Sequence, residues 1–190
     1  VYWTDTPAAR ASLPIYPVDA LRLAVLAQRE NMPTSATSLD PGLASALIER
    51  IEAWLGERHN FGSGLPVSLG ASELGALLSP SKAAAVEVIE TVCKRGAEAP
   101  ALPPVIRALF NGLRTPLLRL ALRSDTLLSL ERHPALSLLD RIANIGRTLA
   151  SDSPPDLPVC RGLASMVRSL GRLPRPTRRD FEMALAVLNT

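Results

Sequence analysis

Residues 40–57 read DPGLASALIERIEAWLGE. Asp40 is placed to cap a helix. Pro41 suits the first helical position, where an amide hydrogen has no intrahelical partner. Leu43, Leu47, Ile48, Ile51, Trp54 and Leu55 then recur in steps of 4, 1, 3, 3 and 1. That spacing is one apolar stripe of an amphipathic helix. Glu49, Arg50, Glu52 and Glu57 fall mostly off the stripe, as a wet face should.

The same grammar extends outward in both directions. Upstream, a helix is expected over about Asp19 to Glu30, with Leu21, Val25 and Leu26 on one face and Asn31 and Pro33 breaking it. Residues 1–17 carry Pro7, Pro14 and Pro17 and read as an extended lead-in. Tyr2, Trp3, Leu13, Ile15 and Tyr16 make that lead-in too apolar for a free linker, so it is expected to dock.

Downstream, Gly62, Gly64, Pro66 and Gly70 mark a loop, and helix formers return at Ser72 to Leu78. Ser79-Pro80 starts a stronger helix that turns Ala83, Val86, Ile89, Val92 and Cys93 inward. Gly96 is read as its left-handed cap. Residues 97–103 form a linker and a possible point of subdivision. Pro104 opens a helix with Val105, Ile106, Leu109, Phe110 and Leu113 on one side, and Pro116 is expected to kink or break it. His133 precedes Pro134 and is placed to cap a helix carrying Leu136, Leu138, Leu139, Ile142, Ile145 and Leu149. Val159, Cys160, Leu163, Met166, Val167 and Leu170 mark another, ended by Gly171. Thr177 and Asp180 form a weak capping pair before a last helix with Phe181, Ala184, Leu185 and Leu188. The expectation is an all-α fold of about eight amphipathic helices. They should form a mostly antiparallel bundle over residues 18–190.

Composition agrees. The 190 residues are 47% hydrophobic, 21% charged and only 4% aromatic, with a mean hydropathy of +0.16. Leu and Ala supply the apolar mass, and both are helix formers. Val1 in place of an initiator Met points to a piece of a longer protein. Two cysteines, Cys93 and Cys160, make no disulfide framework and fit a reducing bacterial cytoplasm. Neither a signal peptide nor an apolar run of membrane-spanning length is present.

The chemistry-bearing residues are sparse. His59 and His133 are the only histidines, and neither has a nucleophile motif beside it. Two histidines and two scattered cysteines do not make a zinc site. Phe61-Gly62-Ser63-Gly64 lacks phosphate-loop spacing. The pairs Glu49/Glu52 and Glu87/Glu90 read as wet helix faces. A non-enzymatic protein without a cofactor is expected.

Charge is uneven. Residues 1–100 carry −3 and residues 101–190 carry +6, for the net +3. Arg outnumbers Lys 19 to 2, which fits a GC-rich bacterial genome or a surface for phosphates. The densest basic stretch is Arg172, Arg175, Arg178 and Arg179, with an RxxxR spacing from Arg175 to Arg179. Such arginines can grip phosphodiesters. PilZ domains bind cyclic-di-GMP with that spacing, but on a β-barrel with a DxSxxG element, and neither accompanies it here.

Residues 88–146 read VIETVCKRGAEAPALPPVIRALFNGLRTPLLRLALRSDTLLSLERHPALSLLDRIANIG. This stretch resembles a bacterial family of unknown function, DUF1631, whose members often carry the label thymidine phosphorylase. Leu102 and Pro103 match its LP. Leu109, Leu113, Pro116, Leu118, Ala121 and Asp125 match its middle, and His133, Pro134, Ala135, Leu138 and Leu139 match its HPA…LL end. Arg114 stands where the family has Gln, Leu127 and Leu128 where it has an aromatic pair, and Leu136 where it has Arg. The resemblance implies a mostly helical cytoplasmic protein without established catalytic residues, with some members tied to cyclic-di-GMP signalling. The phosphorylase label finds no support in these residues.

The function expected is therefore an interaction, scaffold or regulatory module, in the setting of cyclic-di-GMP signalling that the resemblance suggests. Its partner would be another protein or another domain of the same polypeptide, with Trp3 and Tyr16 as first candidate contacts. The rival reading is a cyclic-di-GMP sensor or nucleic-acid binder that uses the Arg172–Arg179 loop.

Overall fold

The computed structural model describes residues 41–60, 69, 77–128 and 133–188. These contain six helices and no strand. The helices are α1 (Pro41–Asn60), α2 (Pro80–Glu98), α3 (Pro104–Arg123), α4 (Pro134–Thr148), α5 (Pro158–Arg172) and α6 (Arg178–Val187). The expected helix over about 19–30 and residues 72–76 of the next lie outside the described residues, as do Trp3 and Tyr16. Leu77 and Leu78 are turn residues rather than the end of a helix.

Proline sets the rhythm. Five of the six helices begin at one: Pro41, Pro80, Pro104, Pro134 and Pro158. Proline's fixed φ suits the first turn, and its missing amide hydrogen is not needed there. A helical protein with 17 prolines is thereby made consistent, because many of them punctuate.

Pro116 is the exception, and the expected break does not occur. α3 runs through it unbroken from Pro104 to Arg123. The cost of an interior proline is about 3 kcal/mol. Against it stand Leu109, Phe110 and Leu113 on one side and Leu117, Leu118, Leu120, Ala121 and Leu122 on the other, all buried. Each buried leucine contributes about 1.5–3 kcal/mol relative to exposure, and a break would forfeit several. Packing wins over local propensity.

Burial on nearly every side of its second half makes α3 the central helix. It packs most extensively on α2, then on α5, and also on α1 and α4, while α6 lies on α4. One hydrophobic core runs from Ile51 of α1 through Ile89, Leu113, Leu117, Leu138 and Leu163 to Phe181 of α6.

Two glycines let backbones approach closely. A Cβ at Gly96 would fall on the Phe110 ring, and one at Gly146 would come within 2.8 Å of Ile106. Gly96 therefore lies inside α2, which continues to Glu98, and is not the left-handed cap expected of it. Its role is the α2–α3 contact.

Candidate functional site

The basic residues divide into two groups. Five of the six arginines of α3 and α4 are hydrogen-bonded within the chain. Arg114 donates to Glu90 at 2.8 Å, and Arg123 grips both carboxylate oxygens of Glu52. Arg119 donates to the Leu173 carbonyl at 3.0 Å, across from the end of α5. Arg141 donates to the Leu188 carbonyl, and Arg147 to Asn144.

These pairs correct the reading of the acidic residues. Glu90 accepts from the Leu69 amide at 2.7 Å as well as from Arg114, and its side chain is only 10% exposed. Glu52 is similarly enclosed against Arg123. Both are fasteners, tying α2 and α1 respectively to α3, rather than wet faces. Arg114, which stands where the resembling family has Gln, supplies one of the two clamps.

The arginines around the α5–α6 connection behave differently. Arg172, in the last turn of α5, and Arg175, in the loop, are exposed, as is Arg179 in the first turn of α6. None of these three has an ion-pair partner among the described residues. Arg178 is engaged, with Glu182 at 2.9 Å one turn along α6. The four expected anion contacts thus include three open guanidinium groups and one already paired.

The loop that carries them is held firmly. Pro176 is buried between the exposed Arg175 and Thr177. The Asp180 carboxylate accepts from the Thr177 amide and hydroxyl, each at 2.7 Å. This is the reach-back half of a capping box. The Asp180 amide itself donates to the Thr177 carbonyl.

His133 sits beneath this region. It is 1% exposed and caps α4, its Nδ1 accepting from the Ala135 amide at 3.1 Å. An accepting Nδ1 leaves the proton of the neutral ring on Nε2. Nε2 is buried without a hydrogen-bond partner among the described residues. Burial pushes the imidazole pKa down from its ordinary 6.5, the Arg178 charge pushes it further, and Glu182 opposes both. His133 thus caps α4 through Nδ1, directly before Pro134. The structure brings it into the electrostatic reach of Arg178, which the sequence separates from it by two whole helices.

The other motif positions have the following surroundings. Pro116 and Pro134 are buried in α3 and at the start of α4. Asp125 is exposed and pairs with Lys82 at 3.0 Å, joining the end of α3 to the start of α2. Leu127 is fully buried, at the first position of the missing aromatic pair.

Neither cysteine is poised for reaction. Burial pushes the Cys93 thiol up to about 12, with Arg114 opposing and Glu90 adding to the shift. Cys160 is buried, and its pKa is raised by burial and by Asp156. Among the described residues no group of three or more His, Cys, Asp or Glu is placed to hold a metal, and no helix is long and apolar enough to cross a membrane.

Sequence reading missed part of the basic surface. Arg161 and Arg168 are exposed on α5 and align with Arg172 at spacings of 7 and 4. That helical register was legible in the chain, but the denser loop overshadows it. Comparison with known proteins gives no match among curated proteins and none among solved structures. A family model described as "Protein of unknown function (DUF1631) 2nd domain" matches residues 23–174.

Proposed function

The chain belongs to the DUF1631 family, and from that premise we propose that it is a non-catalytic docking and regulatory module whose partner is another domain of the same polypeptide. The observation that carries this reading is the outer edge of α6. Phe181 and Ala184 are buried against α4, whereas Met183 and Val187, one turn apart, are 55% and 67% exposed. Two large apolar side chains side by side on a short helix make an anchor of the kind that interfaces bury. The matched description numbers this region as a second domain, so the family's proteins contain others, and α6 lies just past the matched span. In the same reading the helices pack as a mostly antiparallel bundle around α3.

Calorimetric titration of the adjacent domain, expressed separately, into this chain tests the reading. Saturable binding that weakens about tenfold or more in the Met183→Ser/Val187→Ser variant supports it. Binding that the variant leaves unchanged removes α6 from the interface, and no binding removes the proposal.

A second reading has its own observation, the three open guanidinium groups of Arg172, Arg175 and Arg179. They suit a phosphate ligand such as cyclic-di-GMP. A melting shift with the dinucleotide at about 100 μM, lost in Arg175→Gln/Arg179→Gln, is the expected result. The absence of any shift overturns it.

A further inference from the structure

The outer face of α5 is chemically uniform. Its buried side is Cys160, Leu163, Val167 and Leu170. On the opposite side Arg161, Ser165, Arg168 and Arg172 are all exposed, and at 3.6 residues per turn they fall within about 60° of one another. Arg161 and Arg172 are about 16 Å apart along the axis, at about 1.5 Å per residue. Gly162 and Ser169 flank the row, and a Cβ at Gly162 would meet nothing within 4 Å. α5 contains no acidic residue. Among the described residues, Arg161, Arg168 and Arg172 have no ion-pair partner, unlike Arg114 and Arg123 of α3. Arg175, exposed in the connection three residues past the helix end, adds a fourth cation.

We propose that this α5 face, Arg161, Arg168 and Arg172 extended by Arg175, grips the phosphodiester backbone of a nucleic-acid duplex. It goes beyond the α6 docking reading, which concerns another helix, and it needs no cyclic dinucleotide. The chemistry of the face selects the partner. A protein interface is built around apolar or aromatic anchors with charge at the rim, and the row contains only cations and small residues. A membrane-surface helix inserts its apolar side, but here that side is the core. A single strand is held by stacking on aromatic side chains, and this face has none. A duplex backbone asks only for cations in a row and room to approach, and its affinity comes from counterion release. The small residues beside the arginines give that room, and rigid helical spacing sets the arginine Cα atoms in line.

Fluorescence anisotropy with the 190-residue chain tests this. The probes are labelled 20-base-pair DNA and RNA duplexes of mixed sequence. Binding at low salt is expected, with log K falling against log salt by about 0.9 for each phosphate contact to B-DNA, hence a slope of about −3.6 for the four arginines. Arg161→Gln/Arg168→Gln/Arg172→Gln should remove most of that slope and weaken binding at least about tenfold. Its melting temperature should stay unchanged, because the three side chains are exposed. Arg147→Gln, on α4, should bind as the native chain does, and so should Met183→Ser/Val187→Ser. Binding to either duplex with these properties supports the proposal, and the preferred duplex identifies the source of the phosphates. No duplex binding at low salt overturns it, as does an unaffected triple variant. Binding only to anionic phosphatidylglycerol vesicles, or only to cyclic-di-GMP, also overturns it. The cyclic-di-GMP outcome would leave the sensor reading standing.

Discussion

At the scale of single residues, burial determines chemistry that residue type alone leaves open. Cys93 is a thiol by composition, but its environment holds it protonated, with burial as the first cause. Reaction with a disulfide reagent near pH 8 should leave Cys93 unmodified in the folded chain and modify it fully in denaturant; rapid labelling of native protein would contradict this. His133 has a signed dependence on pH. Its folded pKa lies below 6.5, so as pH falls below that value the unfolded chain takes up a proton that the folded chain resists. This contribution to stability is present above pH 6.5 and is lost as pH falls toward the lowered value. His133→Asn retains a capping side chain and should flatten the decline in melting temperature on the acid side of 6.5, whereas His133→Ala should cost about 0.5–2 kcal/mol at neutral pH. Glycines make an opposed pair. Gly146→Ala drives a methyl into Ile106 and should destabilise by about 1–3 kcal/mol. Gly162→Ala, in open space within a helix, should stabilise by about 0.5–1 kcal/mol. Chemical denaturation of both variants checks the sign. Sequence pattern exposes neither difference, because both glycines sit in helices, and only the facing helix tells them apart.

At the scale of elements, helix starts are legible because proline at a first position is a local signal that the fold obeys. Stripes are legible for the same reason: the apolar positions of α4 and α5 named by spacing are largely those that are buried. Local signals fail where a distant helix intervenes. Glu52 and Arg123 are 71 residues apart, and Glu90 and Arg114 are 24 apart, so no window of sequence shows that these carboxylates are fasteners. Pro116 is the sharpest case, since the local rule asks for a break and the core on both sides of it forbids one. Pro116→Ala restores an amide hydrogen and removes a ring clash worth about 3 kcal/mol. It also deletes two buried methylenes, worth about 0.8 kcal/mol each. Relief exceeds loss, so the variant should be more stable by about 1 kcal/mol, read as a higher denaturant midpoint at unchanged slope. A destabilised variant would mean that the proline ring is itself an essential part of the core.

At the scale of the whole molecule, charge and core are organised separately. Arginines of the second half serve two uses: Arg114, Arg119, Arg123 and Arg141 of α3 and α4 tie elements together, and those of α5 face outward. Net charge alone cannot distinguish these uses, and so the dense basic loop stands out in the sequence while the spaced row along α5 does not. The core, by contrast, is continuous. α2 and α3 lie on either side of residues 99–103, yet they form the most extensive helix contact in the described structure. Phe110 of α3 closes on Gly96 of α2, and Leu102 of the connection between them is buried in the same cluster. α6, at the far end, joins that cluster through Phe181 and Ala184. Apart from a small second cluster at Ala84 and Val88 of α2, buried residues of all six helices belong to one core, so opening one helix exposes apolar surface of the next, which is the condition for all-or-none unfolding. Thermal unfolding followed by far-ultraviolet circular dichroism and by tryptophan fluorescence should therefore give coincident transitions. Leu117→Ala in α3 and Phe181→Ala in α6 should each shift the single transition, by about 2–5 kcal/mol for Leu117→Ala and about 3–5 kcal/mol for Phe181→Ala. If Phe181→Ala instead splits the unfolding curve in two, α6 is a separately melting element. The α6 face proposed for docking would then have to be ordered by its partner rather than presented to it.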